Sequence, residues 1–124
     1  MMLVIRAEQM KVLAQSVLKR WIEAHLLRCF PAQCAALGDA GWRAAVTSGM
    51  EQALRHGFRE PSDICRYVDL VIAFGPDFER RTEFDWTREI LGDSAITNSS
   101  VRMDRLHVAA VRHLALASPT TGER

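Results

Sequence analysis

The sequence predicts an all-α protein, a compact domain of five or six irregularly packed helices around a buried central helix. Two observations predict this fold. Apolar residues recur at three- and four-residue steps in several segments, and Pro or Gly stands at the boundaries of those segments. We find no convincing strand pattern, and the connections are too irregular for a simple up-and-down bundle.

The segment 61–78, PSDICRYVDLVIAFGPDF, contains the predicted central helix. Between Ile64 and Phe74 only Arg66 and Asp69 are charged, so a helix here would be apolar over most of its circumference and belongs in the core. Pro61 suits the first helical position, and Gly75-Pro76 ends the helix. A continuous apolar run can also form a buried strand, but the capped length favours a helix.

The first segment, Ile5 to Phe30, contains neither Pro nor Gly and predicts a long amphipathic helix that Pro31 ends. Two apolar stripes run along it. The first contains Met10, Leu13, Val17, Trp21, Ala24 and Leu27, and the second contains Leu18, Ile22 and Leu26. The apolar face is therefore wider than a coiled-coil seam, and we expect it to contact more than one neighbour.

Four further helices complete the prediction. They are a short helix from Pro31 to Leu37, a helix from the cap Asp39 to about His56, a short helix from the cap Asp85 to Leu91, and a last helix from Val101 to Ala117. Gly49 falls in the middle of the third helix, where Gly costs about 1 kcal/mol relative to Ala. Either another helix approaches closely at Gly49, or the helix is locally weak there.

Length and charge restrict the classes of function. The chain of 124 residues fits one domain, predicted over 1–117 with a disordered tail at 118–124. Sixteen basic and fifteen acidic residues give a net charge of +1, so no overall field recruits nucleic acid or an anionic membrane. We find no signal-peptide core and no apolar run long enough to span a bilayer, and we expect a cytoplasmic protein.

The cysteines do not predict disulfide bonds. Cys29, Cys34 and Cys65 are an odd number without a CxxC pair, which suits a reducing compartment. His25 and Cys29 lie four residues apart on one helix face and could join the other cysteines in a zinc site. Cys65 stands alone in the sequence, however, and a free cysteine commonly behaves as a small buried hydrophobe. We therefore predict no metal and no cofactor.

No catalytic signature is present in the sequence. His56, His107 and His113 are scattered, and no Ser or Cys lies in a recognisable catalytic context. Cys65 with a distant His could form a thiolate pair, but a buried structural cysteine is the favoured interpretation. We predict that the protein is not an enzyme and has no catalytic residues; a small enzyme would require a cleft that holds a perturbed His, Cys or carboxylate.

Asp69 is the most informative polar residue, because it interrupts a helix that otherwise belongs in the core. An unpaired buried carboxylate is costly, so Asp69 must be paired or face outward. Arg66, three residues earlier, is the nearest candidate partner, and an Arg of the first or last helix is another. An ion pair that fixes helix orientation is favoured over a contact with a binding partner.

The loop from Pro76 to Asp85 is dense in charged residues and carries aromatic residues. Arg and aromatic side chains are enriched in the energetic centres of protein interfaces. The candidate partner-binding residues are Asp77, Phe78, Arg80, Arg81, Phe84 and Trp86. Paired carboxylates for glycoside hydrolysis and a calcium loop are disfavoured, because arginines intervene and no EF-hand spacing is present. A solvated loop with aromatic anchors is the ordinary alternative.

Several motifs together resemble a family of small accessory proteins found with type VI secretion effectors. The motifs are IRAEQM, AHLLRCFP, HGF, SDICRYVDL, FGPDF and DWTREIL, and the resemblance spans about residues 4 to 110. The positions that carry it are Arg6, Glu8, Gln9, His25, Pro31, Cys65, Asp69, Gly75, Pro76, Asp77, Phe78 and Trp86. The chain departs from the family at His56-Gly57-Phe58, where a Tyr-Gly-Ile segment is common, and in having Pro61.

The resemblance implies a non-enzymatic accessory chaperone or adaptor, similar to a co-chaperone. Members of the family act with a larger effector chaperone in loading a secreted effector onto the secretion spike, and no catalytic residues belong to the family pattern. The expected partners are therefore the effector chaperone, the effector, or both. An immunity protein that binds and blocks a toxin is the alternative, because it too requires only a small stable helical domain.

Overall fold

The structure, a computed structural model of the chain, describes the backbone of residues 7–117 and the side chains of residues 14–116. The predicted disordered tail at 118–124 lies outside the described residues. Within the described part there are six α-helices and no strand, which confirms the all-α prediction. The helices are α1 (Ala7–Cys29), α2 (Pro31–Leu37), α3 (Asp39–Arg55), α4 (Pro61–Phe74), α5 (Asp85–Leu91) and α6 (Ser99–Ala117).

Pro and Gly residues set the helix boundaries largely as predicted. Pro31 and Pro61 begin α2 and α4, where the missing N–H of proline costs no helical hydrogen bond. Gly38 and Gly75 follow the ends of α2 and α4 with φ of 79° and 101°. These positive angles favour glycine, because an L side chain is strained there.

The predictions that Asp39 and Asp85 cap α3 and α5 are wrong. Each is the first helical residue, and the capping positions belong to Gly38 and Phe84, which make no side-chain capping bond. The carboxylate of Asp39 accepts a hydrogen bond from Trp42 Nε1 at 3.3 Å instead. Both acids still lie in the first helical turn, where negative charge interacts favourably with the helix dipole.

Helix α6 begins earlier than predicted, at Ser99. The side-chain oxygen of Asn98 accepts hydrogen bonds from the backbone N–H groups of Ser100 and Val101 at 2.9 and 3.1 Å. Asn98 therefore caps the helix, as asparagine commonly does at this position. The predicted start at Val101 was therefore two residues too late, and the capping role of Asn98 was not predicted.

Helix α4 lies at the centre of the protein, as predicted. Its buried residues surround the helix axis and are Asp63, Ile64, Cys65, Tyr67, Val68, Leu70, Val71 and Ile72. Helices α1, α2, α3 and α6 all pack against it. Helix α4 therefore has apolar residues around most of its circumference because other helices pack against it on several sides.

Gly49 marks the close approach of α3 to α4. A Cβ atom built on Gly49 would lie 3.2 Å from Val68 Cγ2 and 3.4 Å from Val71 Cγ2. A larger residue would push the two helices apart. Of the two explanations offered for a glycine in mid-helix, close approach is therefore the one observed.

The two apolar stripes of α1 have different environments. Ile22 and Leu26 of the second stripe are 0% exposed and belong to the core, and Leu18 packs against it. Val17, Trp21 and Leu27 of the first stripe are 66, 49 and 50% exposed, and Ala24 is exposed as well. Helix α1 packs against α2, α3 and α4, which confirms the prediction that it contacts more than one neighbour. The first stripe is nevertheless exposed at positions 17, 21, 24 and 27, and the side chains of Met10 and Leu13 lie outside the described residues.

None of the helices described here is long and apolar enough to cross a membrane.

Candidate functional site

The predicted partner-binding loop folds into two short 3₁₀ turns, Phe78–Arg80 and Thr82–Phe84, between α4 and α5. Phe78 and Phe84 are buried in the core, and Trp86 is half-buried, with its Nε1–H donating to His113 Nδ1 at 3.4 Å. The ring centroid of Phe84 lies 4.7 Å from that of Phe74. These rings hold the loop against α4 and α6, so a partner would meet the polar residues around them.

The polar residues of the loop line a small cleft. Asp77 and Arg80 are exposed and border a space of about 200 Å³ together with Gln52, Arg55, His56 and Glu79. Asp77 has a φ of 62°, a left-handed conformation that aspartate tolerates better than most residues. Arg81, also exposed, donates a hydrogen bond to the carbonyl of Phe74 and so joins the loop to the end of α4.

Glu79 organises the floor of this cleft. Its carboxylate accepts hydrogen bonds from His56 Nε2 at 2.9 Å and from the hydroxyl of Tyr67. The Tyr67 hydroxyl also lies 3.3 Å from the side-chain oxygen of Gln52. His56 counted only as a scattered histidine in the sequence, because it and Glu79 are 23 positions apart and no local pattern indicates their contact.

The first stripe of α1 forms an exposed apolar surface. We define the α1 stripe as Val17, Trp21, Ala24 and Leu27, which follow one another at three- and four-residue steps along one side of the helix. Helix α6 also exposes aliphatic residues, but Trp21 is the one aromatic ring among the exposed large apolar side chains of the described residues. Contiguous exposed apolar patches often mark interaction sites. Trp21 also stacks on His25, with ring centroids 6.3 Å apart.

His25, and not an arginine, is the partner of Asp69. The Nε2 atom of His25 lies 3.0 and 3.2 Å from the two carboxylate oxygens of Asp69. The predicted partner Arg66 instead pairs with Asp63 and with Asp104 on α6, at 3.4 and 2.9 Å. The prediction of an arginine partner was wrong, but Asp69 does join two helices, α1 and α4.

Two cysteines lie beside the His25 and Asp69 pair. Ligand atoms of His25, Cys65 and Asp69 all lie within 4.8 Å of one another. The Sγ atom of Cys29 lies 3.7 Å from Nδ1, the second ring nitrogen of His25. Cys34 is separate from this cluster, because it is buried with its Sγ 3.9 Å from the carbonyl of Leu26. Of the zinc ligands considered from the sequence, Cys34 therefore lies too far from the others, and Asp69, which was not considered, lies beside them.

Burial dominates the electrostatics of the cluster. It raises the pKa of the Asp69 carboxyl, while the neighbouring His25 and His107 act in the opposite direction. Burial and the charge of Asp69 raise the pKa of the Cys65 thiol to about 12. A nucleophilic cysteine requires the reverse shift, so this arrangement does not activate Cys65 for covalent catalysis.

Asp63 has a structural role that the sequence analysis missed. Its side chain is 1% exposed and accepts hydrogen bonds from the Ser100 hydroxyl at 2.6 Å and from Arg66. Ser100 lies in the first turn of α6, so Asp63 ties the beginning of α4 to the beginning of α6. Ser100 lies 37 positions from Asp63 in the sequence, so no local pattern indicates this contact.

Comparison of the chain with protein-family models, with curated protein sequences and with solved structures gave no match.

Proposed function

We propose that the protein is a cytoplasmic, non-enzymatic accessory chaperone or adaptor that binds an effector chaperone or its effector in type VI secretion. The α1 stripe is the observation that supports this proposal most strongly, and the resemblance over residues 4 to 110 supplies the class of partner. The partner covers the α1 stripe and buries Trp21.

The exposure and spacing of the α1 stripe support a docking role. Val17, Trp21 and Leu27 are each at least 49% exposed, although all three are large and apolar. Apolar residues at three- and four-residue steps on a helix are the pattern with which amphipathic helices bind hydrophobic grooves. Tryptophan is among the residues that contribute most to binding free energy when a partner buries them.

The partner-binding residues predicted in the loop have a secondary place in the proposal. Asp77, Arg80 and Arg81 are exposed and charged, and they can add polar contacts at the rim of an interface. Phe78 and Phe84 support the loop from beneath. Charged residues at an interface rim contribute mainly to the association rate and to partner selection.

The environment of Cys65 supports a role without catalysis. Its pKa of about 12 and its burial keep the thiol protonated and out of solvent. The described lining of the cleft beside Glu79 contains no Ser or Cys that could act as a nucleophile. Recognition of a partner is therefore favoured over a reaction.

The proposal is tested by co-expression with a type VI effector chaperone and an effector from the same organism. We expect a stable complex with at least one of them, and we expect Trp21→Ala to weaken it at least about 30-fold in Kd while the helical content stays unchanged. A matched control is Val108→Ala, which changes an apolar residue of α6 that is 55% exposed. Absence of any complex, or equal loss in both variants, would contradict the proposal.

The co-expressing cells also distinguish an accessory chaperone from the alternative, an immunity protein. An immunity protein protects cells against expression of the toxin alone. An accessory chaperone changes the amount or the delivery of the effector. Protection without any effect on delivery would favour the immunity function over the one proposed.

A further inference from the structure

The cluster of His25, Cys65 and Asp69 has the composition and the dimensions of a metal site. It offers one imidazole nitrogen, one thiol sulfur and one carboxylate, all within 4.8 Å of one another. Bond lengths to zinc of about 2.0 Å for nitrogen and oxygen and 2.3 Å for sulfur place tetrahedral ligands roughly 3.3 to 3.8 Å apart. The His25 to Asp69 distance of 3.0 Å lies just below this range, and the limit of 4.8 Å for the three ligand atoms lies above it, so closing the site requires side-chain shifts of roughly 1 Å.

The types of ligand favour zinc over other divalent ions. Calcium and magnesium prefer sets of oxygen ligands, whereas imidazole and thiolate are the usual ligands of zinc. A thiolate and a carboxylate carry two negative charges, which balance those of the ion. This balance of charge is important because Cys65 is buried and the Asp69 side chain is three-quarters buried. A net charge in a buried site is costly.

The surroundings of His25 suit a metal ligand. Zinc-binding histidines usually donate the N–H of their second ring nitrogen to a nearby acceptor, which fixes the ring. The Sγ atom of Cys29 lies 3.7 Å from Nδ1 and can accept this hydrogen bond once Nε2 binds the ion. Trp21 stacks on the same ring and restricts its rotation further.

We propose that His25 Nε2, Cys65 Sγ and the carboxylate of Asp69 bind one zinc ion, with a fourth position open to solvent. The ion replaces the proton of the Cys65 thiol, which is released, and His25 binds through Nε2 as the neutral imidazole with its one proton on Nδ1. The site joins α1 to α4 and so fixes the helix that carries the α1 stripe. This proposal does not depend on the identity of the protein partner.

The first test measures metal binding by the full chain without a histidine tag. After treatment with a chelator and a reducing agent, the protein is titrated with Zn²⁺ in a calorimeter and with Co²⁺ in a spectrophotometer. We expect one ion per chain, a thiolate-to-cobalt charge-transfer band in the near ultraviolet, and a thermal midpoint that rises with zinc concentration. A cobalt spectrum without the thiolate band, or fewer than about one ion in ten chains, would overturn the proposal.

Variants assign the ligands. Asp69→Asn and Cys65→Ala should each raise the zinc Kd more than about 100-fold, beyond the 10- to 100-fold effect of changes outside the ligand set. His56→Gln is the matched control, because His56 also bonds a carboxylate at 2.9 Å on another face of the protein. Zinc affinity that is unchanged in Asp69→Asn, or lost equally in His56→Gln, would refute the assignment. If a variant fails to fold, the cobalt spectrum of the unaltered chain still shows whether a thiolate binds the ion.

Discussion

The two stripes of α1 predict opposite responses to the same kind of substitution. Ile22 is 0% exposed, and truncation of a buried isoleucine to alanine costs about 2 to 5 kcal/mol. Val17 is 66% exposed, so it buries about a third of its surface. Since full burial of a valine contributes about 1.5 to 3 kcal/mol, that third contributes roughly 0.5 to 1 kcal/mol. Alanine recovers part of this through its higher helix propensity.

We therefore expect Ile22→Ala to lower the free energy of unfolding by at least about 2 kcal/mol and Val17→Ala to change it by no more than about 0.5 kcal/mol. Urea unfolding followed by circular dichroism measures both values, and equal slopes in urea would show that the unfolded states are comparable. A large loss in Val17→Ala together with a small loss in Ile22→Ala would mean that the other stripe faces the core. The proposed docking surface would then be wrong.

Three further predictions concern the packing and the buried groups. Gly49→Ala should be at least about 1 kcal/mol less stable than Gly41→Ala in urea unfolding, because both gain helix propensity but only the new Cβ at position 49 presses on α4. Asp63→Ala should cost about 3 kcal/mol by the same measurement, since it removes the buried acceptor between α4 and α6. In the folded, metal-free protein at pH 8, iodoacetamide should label the exposed Cys29 and spare Cys65, because burial and a pKa of about 12 keep the Cys65 thiol protonated. Mass spectrometry after proteolysis measures the labelling of each cysteine. Rapid labelling of Cys65 would contradict its described burial.

The helices and most of their boundaries were predictable because the signals are local. Pro31 and Pro61 fix their own backbone angles, and glycines at 38 and 75 allow the positive φ that ends a helix. The central position of α4 was predictable from its apolar circumference. These features depend on residues that are neighbours in the sequence.

The features that were not predicted depend on residues far apart in the sequence. Asp69 meets His25 across 44 residues, and nothing near Asp69 indicates a histidine partner. Both stripes of α1 have helical spacing, so their pattern alone does not say which one packs. Phe78 and Phe84 have the composition of an interface, but the fold of their loop turns both rings into the core.

The affinity of the chain for the proposed partner, a type VI effector chaperone from the same organism, tests the docking proposal most directly when it is measured by calorimetry with purified proteins. We expect Trp21→Ala to weaken binding by at least about 2 kcal/mol, roughly 30-fold in Kd, and Val108→Ala to leave the Kd unchanged. Equal affinity of Trp21→Ala and the unaltered chain for that chaperone would contradict the assignment of the α1 stripe as the docking surface.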